Sequence, residues 1–233
     1  KPKAEVAAAR ARELAPELTI TALKERLGSS TVLDLCSEAD LVLDGSDTFD
    51  TKYLVADACE LTSTPLAWGT VLRYGGQAAL WHSGNACADG RGVGLRDLFP
   101  APPSGEALEC STAGVLGATT SVIAGLMVTA VLGWLGKLPH YEELRGRLTS
   151  YEALPGSFRT LRVGADPDRP LVTALPGRNT LPPKLVTGQA ALLDISEEPN
   201  FPQAAVTLPW QTVTDDDSVR RALSACGSEL VYV

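Results

Sequence analysis

Residues 113–136 run AGVLGATTSVIAGLMVTAVLGWLG, 24 positions without a charged side chain, and no other feature narrows the fold so far. As a helix, a stretch of this length reaches across a lipid bilayer. Its make-up argues otherwise. Glycine, alanine and threonine dilute it, Lys137 stands alone at one end, and Glu109 sits near the other, so the basic anchors of a membrane span are missing. The expectation is a buried core helix whose small residues let another backbone approach closely.

Such a helix needs a sheet to lie on, and the preceding residues supply one. Residues 4–15 read as a helix ended by Pro16, and 18–23 (LTITAL) as a short strand. A helix is expected over 33–39. A short apolar strand (LVLD, 41–44) then ends in acid, the turn Gly45-Ser46-Asp47 follows, and a helix runs from 47 to 61 before a second buried strand at 65–71. This alternation is the doubly wound, Rossmann-like α/β pattern. After it come a hairpin over 71–81 turning around Gly75-Gly76, a turn-rich stretch over 82–109, and a β-rich segment over 141–175 with a strand at 157–163. PGRNTLPP (176–183) reads as a linker. Beyond it, strands at 191–196, 204–210 and 229–233 with a helix near 216–226 make a separate small α/β unit. The chain is thus divided into 1–178 and 179–233.

The charge sum of −8 over 233 residues, with no basic run, excludes a phosphate-backbone binder and so nucleic acid as a partner. Five scattered cysteines form no CxxC, which gives neither a disulfide framework nor a zinc signature. No signal-peptide pattern opens the chain, so a cytoplasmic location without a membrane is expected. His82 and His140 have no serine or cysteine elbow nearby, and no G-x-G-x-x-G follows a strand. A hydrolase triad and a dinucleotide oxidoreductase are therefore set aside.

Chemistry concentrates at residues 39–59, ADLVLDGSDTFDTKYLVADAC. Asp44 and Asp47 fall at the end of a strand and the start of a helix, the edge where α/β sheets bind ligands. A carboxylate there suits magnesium on a nucleotide's phosphates. It also suits local structure, with Asp47 capping the helix and Asp44 serving the turn. Spacing alone leaves both open.

Taken in order, DLVLDGSDTF.TKYLVADAC, PLAWGTVLRYGGQAALW, LFPAPP…ECSTAGVLG and YEALPGSFRTLRVGADP resemble the ThiF/MoeB/MoeZ family of adenylating proteins, bacterial relatives of ubiquitin-activating enzymes. The resemblance runs from residue 1 to about 175. It implies the family's adenylation fold and its activity, ATP- and magnesium-dependent adenylation of the C-terminal glycine of a ubiquitin-like sulfur-carrier protein ending in Gly-Gly, followed by support for the carrier's thiolation. It also implies a homodimer that buries the long apolar helix. By residue, it gives Asp47 as the magnesium ligand, Lys3 as the phosphate contact, and Cys110 as the thiol that bonds to the carrier in some members. Thr48 and Lys52 stand where the family has an asparagine and an arginine at the nucleotide.

The departures carry information too. The family's glycine-rich nucleotide loop lies upstream of the position matching Lys3 and is not in this sequence, so the chain is expected either to be a piece of a longer protein or to complete its site with a partner. The positions of the four zinc cysteines hold Gly94, Asp97, Arg169 and Val172, so no structural zinc is expected. Residues 184–233 resemble the first half of a rhodanese domain, without its sulfur-carrying cysteine. A second reading, a non-catalytic relative that only binds a carrier or dimer partner, draws on the missing glycine-rich loop, Thr48, Lys52 and the lost zinc ligands.

Overall fold

The structure, a computed structural model, describes residues 2–87, 90–103 and 113–175, together with the backbone of three later strands. Helix α1 (Lys3–Leu14) is followed by α2 (Val32–Ser37), β1 (Val42–Asp44), α3 (Phe49–Thr62), β2 (Leu66–Leu72), β3 (Gly75–Ser83), β4 (Gly92–Val93), α4 (Leu95–Leu98), α5 (Gly117–Leu135), β5 (Arg147–Glu152) and β6 (Ser157–Arg162). The main sheet runs β1-β2-β3-β5-β6, with β4 paired to β3. β1 and β2 are parallel and joined through α3, as a strand–helix–strand crossover requires. The pairings from β2 onward are antiparallel.

The two faces of the sheet carry different layers. Leu66 and Trp68 of β2 and Ala79 and Trp81 of β3 alternate into one core with Val55, Ala58 and Cys59 of α3 and Val32 and Cys36 of α2. The other face is shallower, because Gly69 and Gly76 hold no side chain there and α5 descends onto the backbone with Ile123 and Met127. A Cβ on Gly76 would stand 2.8 Å from the Thr70 carbonyl oxygen and 2.6 Å from Ile123. Gly76→Ala is expected to cost about 1–3 kcal/mol through this overpacking, read as a lowered midpoint in thermal unfolding. An unchanged midpoint would mean that α5 does not sit so close.

Several expectations are corrected. Residues 18–23 form no strand, since a strand needs a neighbouring edge and no described strand pairs with them. They run beside α1 instead, where the Arg12 guanidinium donates to the Ile20 carbonyl and Lys24 pairs with Glu5. The helix expected over 33–39 is confined to Val32–Ser37. The hairpin turns at Arg73-Tyr74 rather than at the two glycines, because Leu72 pairs with Gly75. Arg73 accepts a left-handed φ of 53° there, and its N–H and carbonyl are taken up by Gly114 and Leu116. That exchange starts α5 at 117 rather than 113, and it frees Gly75 and Gly76 to lie in β3.

The apolar helix is also less covered than a core helix should be. Thr119, Ile123, Met127 and Gly133 are buried, but Val128 is 46% exposed, Leu132 61% and Leu135 52%. One stripe covers the single sheet, and among the described residues no second layer covers the opposite stripe. Uncharged throughout and little buried, the helix is long and apolar enough to cross a membrane by length and composition.

Further along, β7 (Ala190–Asp194), β8 (Val206–Thr207) and β9 (Glu229–Tyr232) pair in parallel in the order β8-β7-β9, at the three places where strands are expected. The linker at 176–183 and the helix near 216–226 lie outside the described residues.

Candidate functional site

Because β1 and β2 are parallel, their C-terminal ends open on one edge, and the turn from β1 into α3 crosses it. The turn is built from its two carboxylates in different ways. Asp44, 4% exposed, accepts from the Ser46 N–H at 2.8 Å with one oxygen and from the Lys52 ammonium at 3.1 Å with the other. Lys52 also donates to the Gly69 carbonyl at 2.5 Å and lies 5.5 Å from the Trp68 ring centroid. α3 is capped by Thr48, whose hydroxyl oxygen accepts from the Thr51 N–H at 3.3 Å. The cap expected of Asp47 is therefore supplied by Thr48, and Asp47 remains exposed.

Asp47 lines a cavity of about 290 Å³ between the ends of β1 and β2 and the side of α5. Leu43, Ser46, Thr70, Ile123 and Met127 share its wall, and Asp47 is the charged side chain among the described lining. The hydroxyl oxygen of Ser46 is buried without a hydrogen-bond partner. Magnesium is held by one or two protein oxygens plus phosphate oxygens and water, and an exposed carboxylate next to an unsatisfied hydroxyl fits that demand. Among the described residues the wall carries no cation for a triphosphate.

The other sequence candidates fall elsewhere. Lys52, expected at the nucleotide, is instead turned inward and 4% exposed, because Asp44 and the Gly69 carbonyl take its charge. Thr48 is spent on the helix cap. Lys3 opens α1 as an exposed side chain, and no described hydrogen bond or ion pair joins it to the cavity. Cys110 lies outside the described residues. The chain leading toward it is tied to α3: the Tyr53 hydroxyl donates to the Ala101 carbonyl at 2.6 Å, and Arg96 bridges Asp57 at 2.6 and 2.8 Å and the Pro100 carbonyl at 2.7 Å.

The four positions matched to zinc cysteines converge on one ion-pair cluster. Asp97 accepts from the Gly94 N–H at 2.7 Å and from Arg169 at 2.9 and 3.1 Å. Arg169 also reaches both oxygens of Glu60, at 3.0 and 2.9 Å, and Glu60 accepts from the Val172 N–H at 2.7 Å. Arg91 closes the cluster on Asp97 at 3.0 Å. Burial pushes both carboxyls up, but hydrogen bonds from Arg169 and the backbone outweigh it. Asp97 is held down to about 2, and Glu60 lies below the usual carboxylate range. Burial draws Arg169 down, and its two carboxylate partners more than reverse that. Among the described residues, no group of three or more His, Cys, Asp or Glu could hold a metal.

Sequence reasoning missed this cluster and the Asp44–Lys52 pair. The pair joins the end of β1 to α3, so the period of no single element reveals it, and Glu60 and Arg169 stand 109 residues apart. The signal available was chemical: a lysine inside an otherwise apolar helix face needs a buried acid.

Comparisons with known proteins fit this geometry. The sequence pattern of the ThiF family matches residues 1–171. The chain is 41% identical over 152 residues to the probable adenylyltransferase/sulfurtransferase MoeZ of Mycobacterium tuberculosis, covering 64% of this chain and 38% of that protein. It is 38% identical over 172 residues to the sulfur carrier protein adenylyltransferase of Thermus thermophilus, covering 73% and 62%. The chain thus spans less than two thirds of these relatives. A crystal structure of Escherichia coli MccB with ATP shares the fold at a TM-score of 0.58 and 15% identity, over 74% of this chain and 51% of that one.

Proposed function

The chain belongs to the ThiF family, and from that premise we propose that it takes part in ATP-dependent adenylation of the C-terminal glycine of a ubiquitin-like sulfur-carrier protein ending in Gly-Gly, ahead of that carrier's thiolation. The relative named as a sulfur carrier protein adenylyltransferase supports the class of substrate. The observation that carries the reading is the exposed Asp47 carboxylate on the wall of the cavity at the sheet's ligand edge.

In the proposed reaction the carrier's carboxylate oxygen bonds to the α-phosphorus and pyrophosphate leaves. Magnesium, when bound with ATP, neutralises charge on the departing oxygens. Asp47 would hold it, with the Ser46 hydroxyl beside it. With a nucleotide bound, the apolar wall of Leu43, Ile123 and Met127 would displace water beside it, which strengthens charge interactions there. Lys3 is the cation proposed for the phosphates and Cys110 the thiol proposed for the carrier. The exposed stripe of α5 is proposed to pair with a second copy of the chain, no structural zinc is required, and the unit beyond residue 179 is proposed to be rhodanese-like.

The test is ATP–pyrophosphate exchange by the purified protein with a Gly-Gly carrier. Asp47→Ala is expected to lower exchange about a hundredfold with the fold unchanged by circular dichroism. Exchange that survives Asp47→Ala overturns the assignment. The non-catalytic reading draws support from the cation-free wall and the inward Lys52. Carrier binding by calorimetry with no exchange at any magnesium concentration would select it.

A further inference from the structure

The turn that carries Asp47 is held from behind by charge. Asp44 spends one oxygen on the Ser46 N–H and the other on Lys52, and Lys52 reaches across to the Gly69 carbonyl, so one buried ion pair ties β1, α3 and β2 together beneath the cavity. The side chains are 2% and 5% exposed, respectively. Gly45, Ser46, Asp47 and Gly69 all border the cavity above them.

We propose that Asp44 and Lys52 are positioning residues: neither touches the ligand, and together they hold the 45–47 turn in the one conformation that turns Asp47 into the cavity. The metal-holding role of Asp47 is taken from the proposed function, whereas the turn's dependence on the pair stands on its own geometry. Without the ammonium, the Asp44 carboxylate is buried and unpaired, and such a group draws in water or moves outward. Either response breaks its bond to the Ser46 N–H and releases the neighbouring side chain. Groups that orient a metal ligand from behind are worth about 10–100-fold in metal affinity when removed.

The substitution is Lys52→Met, which keeps the chain length and removes the charge. Two measurements are made on the whole protein. Amide hydrogen exchange by NMR follows Ser46 and Asp47 against the β2–β3 amides. Electron paramagnetic resonance follows manganese(II) binding in the presence of a non-hydrolysable ATP analogue. Lys52→Met is expected to speed exchange at Ser46 and Asp47 at least about tenfold while β2–β3 protection holds, and to weaken manganese binding by about 10–100-fold. The double variant Lys52→Met/Asp44→Asn is expected to recover both to within about threefold, because the asparagine oxygen still accepts from Ser46 and no charge remains unpaired. That variant also serves if Lys52→Met alone folds poorly.

Exchange that rises uniformly over the sheet, or a double variant as impaired as the single one, would reduce the pair to general stability and overturn the proposal. Manganese binding in the wild type that is untouched by Lys52→Met overturns it while leaving Asp47's role intact. If the wild type binds no manganese with the analogue, Asp47's metal role fails, and the exchange measurement still decides whether the pair sets the turn.

Discussion

Replacing Arg169 with methionine is expected to lower the unfolding free energy by about 3–5 kcal/mol, the cost of leaving a buried ionic partner uncompensated. The guanidinium is 8% exposed in its side chain and faces Glu60 at 4% and Asp97 at 0%, so two carboxylates lose their main counter-charge at once. Urea denaturation at pH 7 reads the loss as a drop in midpoint without a change in slope. The same cluster sets a pH dependence. Both acids have lowered folded-state values, Asp97 to about 2 against 3.8 and Glu60 below its usual 4.5. Their contribution is therefore complete above the unfolded values and is lost as the pH falls through 4 toward 2. Asp97 accounts for about 2 kcal/mol of it. The wild type should lose stability over that window and Arg169→Met much less. A variant as stable as the wild type, with the same acid limb, would show that the cluster is not holding residues 94–97 to 169–172.

The second large effect concerns α5. Val128 and Leu132 lie four residues apart on its uncovered stripe. If a second copy covers that stripe, Val128→Asp/Leu132→Asp puts four aspartates into the interface of a two-fold pair. At roughly 1–3 kcal/mol for each unpaired polar group, the dissociation constant should rise at least about a thousandfold. Sedimentation equilibrium is expected to give a dimer for the wild type and a monomer for the double variant, with unchanged circular dichroism. A wild type that stays monomeric at micromolar concentration would remove the second copy as the occupant, and one that pellets with phosphatidylcholine vesicles would put lipid in its place.

Much of the frame was legible because it rests on local pattern. The β1–α3–β2 unit announced itself in an apolar run ending in acid, a turn, and a helix-forming stretch. The three strands beyond residue 190 did so through short β-rich runs between turn residues. The errors have different causes. Residues 18–23 have the composition of a strand but no edge to join among the described residues, and Gly75-Gly76 look like a turn until α5 demands bare backbone at that spot. For the two glycines a helix distant in sequence decided, and composition carries no record of it, whereas residues 18–23 lie against the helix just before them.

At the candidate site the division is sharper. That an acid would stand at the rim of a parallel strand pair, and that a long uncharged helix would need an apolar surface, follows from periodicity and charge along a few adjacent residues. Which acid faces outward depends on folding. Thr48 took the helix cap, Lys52 folded inward to Asp44, and Asp47 was left at the cavity. Hydrogen bonds and charges are satisfied between residues brought together by folding, so the same two carboxylates, three positions apart, have opposite environments.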